Sequence, residues 1–175
     1  FNPYAYSVPN VANWYGLKNT FTTDMFGAIA HYAASNEDVI SVEDGSIGHL
    51  ELNTTIEDFT AAAGYIRTDK DNGAGSMDSV GDNISPFDTG NNTYAADAKT
   101  LYGSLGYTIA DVELGALYGE TKFDADYKEK ELNLTVGYSI TEALATSLLY
   151  GDVNADETNG EVDDKYFLAS VEYTF

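Results

Sequence analysis

The stretch Leu101–Gly119, LYGSLGYTIADVELGALYG, alternates with a period of two on both sides of a two-residue break. Leu101, Gly103, Leu105, Tyr107 and Ile109 share one face, and Tyr102, Ser104, Gly106 and Thr108 the other. After Ala110-Asp111 the pattern resumes as Val112, Leu114, Ala116 and Tyr118 against Glu113, Gly115, Leu117 and Gly119. Successive side chains of a strand point to opposite sides, so this is a hairpin with one apolar and one polar face.

The pattern extends in both directions. Downstream, Leu132, Leu134, Val136 and Tyr138 oppose Glu129, Glu131, Asn133 and Thr135. Leu144, Thr146, Leu148 and Tyr150 follow, then Phe167, Ala169, Val171, Tyr173 and Phe175 against Leu168, Ser170, Glu172 and Thr174. Upstream, strands are expected near 2–8, 11–21, 25–35, 46–54 and 58–67. Alternation is weaker in Phe26–Tyr32 and Ala61–Gly64, where small residues occupy both faces. The expectation is about ten antiparallel strands in a single all-β domain over 1–175.

Composition narrows what such a sheet can be. The 175 residues carry 29 acids and 8 Lys or Arg, a formal charge of −21, which disfavours a nucleic-acid binder. Cysteine is absent, and two histidines, His31 and His49, leave little for zinc or triad chemistry. No apolar run reaches the roughly 18–20 residues of a membrane helix. Fourteen Tyr, eight Phe and 16 Gly with 43% hydrophobic residues describe a strand-rich, folded chain. A transmembrane β-barrel fits, because only alternate residues meet lipid while lumen and loops stay polar.

Two further patterns point the same way. Connections alternate between short ones at 22–24, 54–57, 110–111 and 140–142 and longer acidic ones at 36–45, 68–98, 123–127 and 152–164; Pro9-Asn10 makes an unusually short member of the second group. Barrels pair short periplasmic turns with long external loops in this way. Tyr107, Tyr138 and Tyr173 fall near one set of strand ends, and Tyr32, Tyr65, Tyr118 and Tyr150 near the other. Two lipid–water interfaces favour two such girdles, and a soluble sandwich has no use for them.

The ending Phe167-x-Ala169-x-Val171-x-Tyr173-x-Phe175 resembles the C-terminal assembly signal of bacterial outer-membrane proteins. Phe1-Asn2-Pro3, Leu101-Tyr102-Gly103 through Gly106-Tyr107-Thr108, and Gly115-Ala116-Leu117-Tyr118-Gly119 resemble the C-terminal part of the Campylobacter-type major outer-membrane porin. That resemblance implies an eighteen-stranded, trimeric, cation-preferring porin, with outer-membrane lipid, lipopolysaccharide and the barrel-assembly machinery as partners. Ten strands and a start at Phe1 leave two arrangements: the C-terminal part of a larger barrel, which the missing N-terminal half favours, or a complete ten-stranded barrel with an adhesin or structural role.

The expected pore lining is Glu51, Glu113, Glu129, Glu131, Asn133, Thr135 and Glu172, with Lys18, His31 and His49 as candidates to join it. Carboxylates on a pore wall enrich cations and repel anions. Asp152-x-Asn154-x-Asp156 with Asp163 has the oxygen spacing that opens a calcium loop, although Glu157 stands where that loop needs glycine. Apart from this possible Ca²⁺, no cofactor is expected. An enzyme would need His31 to meet Asp44 or Glu43 at the rim, with no serine motif beside it, so none is expected. Trp14 is expected at a membrane interface. The 68–98 segment either folds into the lumen or covers its mouth.

Overall fold

The computed structural model describes residues 1–39, 43–75, 83–88, 92–123, 127–155 and 163–174. They form one sheet of ten strands, each paired antiparallel with its neighbours in chain order. The strands are β1 (Asn2–Val8), β2 (Ala12–Thr22), β3 (Phe26–Glu37), β4 (Gly45–Ile56) and β5 (Phe59–Thr68). After a long connection come β6 (Lys99–Ile109), β7 (Val112–Lys122), β8 (Lys128–Thr141), β9 (Leu144–Ala155) and β10 (Asp164–Tyr173). In this order β1 and β10 are the two edges and do not pair, so the sheet is open.

The short turns follow from local chemistry. Glu57-Asp58 and Ala110-Asp111 are two-residue hairpin loops whose first residues take φ of 53°. Tight hairpins demand positive φ there, because only those turns match the twist of the strands they join. Thr23 closes the β2–β3 turn, its hydroxyl accepting the Phe26 amide at 2.9 Å. A register irregularity between Ser139 and Thr141 precedes the β8–β9 turn.

Several strands run further than the local pattern indicates. β4 continues to Ile56, and β9 runs on through Asp152, Val153 and Asn154 to Ala155 instead of entering a loop at 152. The pleat is maintained there, with Val153 buried on one face and Asp152 and Asn154 on the other.

The two faces differ in kind. One carries the buried residues Ala12, Trp14, Ala33, Ile47, Ile66 and Tyr102, against which Ile84 and Phe87 of the β5–β6 connection pack. The other carries exposed apolar side chains, among them Leu52 (70% exposed), Leu101, Leu114, Val136 and Val171. We call the first face inner and the second outer.

Candidate functional site

Following cross-strand partners places each side chain on one face. Glu51, Glu113, Glu129, Glu131, Asn133, Thr135 and Glu172 all lie on the inner face, as do Lys18, His31 and His49. Glu37 and Asp164 share it, residues that face assignment from local alternation had left out. Among strand residues the inner face thus holds seven carboxylates and a single base, Lys18.

A repeated device organises this face. Tyr4, Tyr102 and Tyr166 each sit opposite a glycine of the adjoining strand: Gly16, Gly64 and Gly151. A Cβ on any of the three glycines would collide with the tyrosine ring. Each ring therefore lies across its glycine and reaches a polar group one strand further on. Tyr4 Oη meets His31 Nε2 at 2.8 Å. Tyr102 donates to Glu51 Oε2 at 2.5 Å, and His49 Nε2 lies 2.8 Å from the same hydroxyl. Tyr166 accepts from Asn133 Nδ2 at 3.1 Å, while Asn133 also donates to Glu131 at 2.8 Å. Buried polar groups need such partners, since an unpaired one costs its lost hydration. The signal in the sequence was tyrosine on polar faces opposite glycine, which needs the register to be seen.

The described parts of the β5–β6 connection lie over the inner face at the long-connection end. Gly75 donates to Ser35 Oγ at 2.9 Å, near Trp14. Phe87 packs against Gly119, where an added Cβ would stand 2.5 Å from the ring. Asn92 grips Glu129 through its backbone amide at 2.9 Å and its side-chain amide at 2.5 Å, and Tyr127 donates to the same carboxylate at 2.7 Å. Glu129 is consequently buried, and Glu131 is buried beside Asn133 and Tyr166. Where the connection joins β6, the Lys99 ammonium donates to Asp97 at 2.8 Å and holds its carboxyl below the usual carboxylate range.

At the short-turn end the inner face is open. Glu113 and Glu172 flank a polar groove lined by Gly137, Ser139, Ser147 and Ser170. Both carboxylates are exposed.

Two placements differ from expectation. Trp14 is a buried inner-face residue packed under the β5–β6 connection, not an interface anchor. Asp152 and Asn154 belong to the outer face of β9, where Asp152 pairs with Lys165 at 3.2 Å and accepts from Asn154 at 2.7 Å. Asp163 caps the Ala155 amide at 3.0 Å, and Asp156 lies outside the described residues. Among the described residues no three acids or histidines gather as metal ligands. The His31 imidazole meets Tyr4, while Asp44 accepts from Asn36 and the Glu37 amide. Phe167, Val171 and Tyr173 stand exposed on the outer face, and Phe175 lies outside the described residues.

The outer aromatics carry metric information. Tyr32 is level with Gly48 and Arg67, and Tyr65 lies two residues nearer the short-turn end of β5. Tyr65 is level with Leu101 and Glu120, and Tyr118 lies two residues lower on β7. Tyr118 is level with Leu132 and Asp152, and Tyr150, level with Phe167, lies two lower again. Phe26, Phe59, Tyr138 and Tyr173 descend in parallel at the other end. The offset is one residue per strand in the upper girdle and six residues over seven strands in the lower. With about 3.3 Å per residue and about 4.8 Å between strands, rings at constant height require a strand tilt of about 35°. That is the tilt of a closed barrel wall.

Neither the known protein families nor the curated proteins contain a match to this sequence. Solved structures do. A porin of Acinetobacter baumannii, OccAB4, matches with a TM-score of 0.77 and 18% identity over 98% of this chain and 48% of its own. Pseudomonas aeruginosa OccK3 (OpdO) matches at 0.69 and 18% identity, over 90% of this chain and 49% of its own. The KdgM porin matches at 0.57 and 12% identity, over 99% of this chain and 89% of its own. The fold is that of an outer-membrane porin wall. The chain spans about half the length of the first two of these porins.

Proposed function

We propose that these strands form part of the wall of a bacterial outer-membrane porin, a water-filled channel that passes small hydrophilic solutes and prefers cations. The observation that carries this reading is the segregation of charge: seven carboxylates and one base on the inner strand positions, with exposed apolar side chains and two tilted aromatic girdles outside. A sheet with open edges would leave unsatisfied backbone groups in lipid, so β1 and β10 are read as joining further strands of a larger wall. The narrower likeness to the Campylobacter-type porin, and the trimer it implies, rest on the sequence segments alone. We read the chain as a channel and not an enzyme, since its inner face satisfies its histidines with tyrosine hydroxyls.

Glu129 is sealed by hydrogen bonds under the β5–β6 connection and Glu131 is buried beside Asn133 and Tyr166, so we place the expected filter at Glu113 and Glu172. Reversal potentials across a planar bilayer under a KCl gradient test this. Cation preference should be present at 0.1 M salt, where screening extends over about 10 Å, and should shrink as salt rises. It should also shrink in the Glu113→Gln, Glu172→Gln double variant. Anion preference in the unaltered protein would sink the reading.

A further inference from the structure

The chain is poor in bases, yet it concentrates them. Of its eight Lys and Arg residues, six occupy outer-face positions at the long-connection end of β5–β10: Arg67, Lys99, Lys122, Lys128, Lys130 and Lys165. The outer face of all ten strands carries just two acids, Glu120 and Asp152. The register makes the concentration sharper. Arg67 faces Lys99, Lys99 faces Lys122, and Lys122 faces Lys128, so four bases form one continuous row across four strands. Like charges directly opposite one another in a sheet destabilise it. Glu120 partly offsets this, with Lys122 at 3.4 Å, Lys130 at 3.9 Å and Lys128 at 4.0 Å. Asp97 holds Lys99 at 2.8 Å, so two carboxylates face the five bases Arg67, Lys99, Lys122, Lys128 and Lys130; a surplus of positive charge remains, and the bases stay accessible, with side-chain exposures of 39% for Lys99 and 57% for Lys122.

A second observation lies directly beneath the row. An apolar groove on the outer face has Leu101, Gly103 and Ala63 as its floor, Tyr65 and Tyr118 as its walls, and Lys99 and Lys122 with the Glu120 carboxylate between them at its upper end. Gly103 leaves the floor open, since a Cβ there would meet nothing nearer than the Ala62 carbonyl at 3.6 Å. The walls belong to the upper aromatic girdle, so the groove points into the hydrocarbon region and its basic end lies at headgroup level.

An apolar slot capped by cations, facing the membrane, has the chemistry of a lipid site. We propose that the Arg67–Lys99–Lys122–Lys128 row and the Tyr65–Tyr118 groove bind an anionic phosphoglycolipid of the outer leaflet, phosphates on the bases and an acyl chain in the groove. The proposal rests on the outer-membrane reading, because the long connections then lie outside the cell. Four bases over three strand spacings span about 14 Å. That width suits a headgroup with more than one phosphate better than a single phosphodiester.

The test uses the purified protein in detergent, with bisphosphoryl lipid A, its dephosphorylated form and phosphatidylglycerol as probes in native mass spectrometry. Bisphosphoryl lipid A should bind in preference to the other two. The Lys99→Gln, Lys122→Gln, Lys128→Gln variant should lose about a hundredfold in affinity, since each surface base contributes roughly fivefold to attraction for an anionic lipid surface. The matching triple Lys→Arg variant should retain binding. Gly103→Phe should weaken binding by filling the groove without changing charge. Equal binding of dephosphorylated lipid A, equal binding of phosphatidylglycerol, or an unaffected Gln variant would overturn the proposal. Conductance of the same preparations separates the two readings: cation-selective channels without lipid preference refute this site alone, whereas lipid preference without channels refutes the pore.

Discussion

Phe87→Ala should release the β5–β6 connection from the inner wall. Phe87 is 8% exposed, with its ring set into the space that Gly119 leaves free. Aromatic side chains bury about 150–250 Å², and at about 25 cal/mol per Å² the ring gains some 4–6 kcal/mol as an upper bound. Truncations of buried Phe cost about 3–5 kcal/mol in practice. Taking about 3 kcal/mol, the seated state loses about a hundredfold in its equilibrium against the lifted one. Local opening governs amide exchange, so protection should fall by a similar factor where the connection is held down. The reporters are the Ile84 amide, bonded to Tyr94 Oη at 2.8 Å, and the Asn92 amide, bonded to Glu129. Hydrogen–deuterium exchange by mass spectrometry should show faster exchange at 83–88 and 92–98, with β6–β8 unchanged. Exchange at these segments within about threefold of the unaltered protein would refute the claim that Phe87 is the anchor. Gly119→Leu, which fills the same seat from the wall side, should reproduce the effect.

Leu52, 70% exposed and midway between the girdles, should tolerate arginine poorly if its surroundings are lipid. Leu52→Arg should lower folding stability in vesicles by about 2–4 kcal/mol, read from urea titrations, where a water-exposed site would change by about 0.5 kcal/mol or less. Asp97 is held below its ordinary value by Lys99, so its pairing stabilises the connection above the unfolded pKa near 4 and is lost as pH falls through the lowered folded value. Exchange at 92–98 should therefore stay flat from pH 7 to about 5 after correction for intrinsic rates and rise below about pH 4; Asp97→Asn should abolish that rise.

Much of the architecture was legible in the order of residues alone. A pleated strand repeats every two residues, so Leu101–Gly119 declares its two faces without any neighbour, and Glu113, Glu129 and Glu131 follow on the polar side. The girdles were visible too, since they need just strand ends and tyrosines. What lay beyond local reading depends on residues distant in the chain. Trp14 was misplaced because its inner face is covered by the β5–β6 connection, some sixty residues or more downstream, whose irregular backbone has no period to read. Asp152 and Asn154 were assigned to a loop because acids and asparagine mark turns locally, whereas pairing with β8 and β10 keeps them in a strand. The row joining Arg67, Lys99, Lys122 and Lys128 exists only through register. Alternation is a property of one strand and is written locally; which side chains stand level across strands is set by hydrogen-bonded pairing over long separations, and that is decided only in the folded sheet.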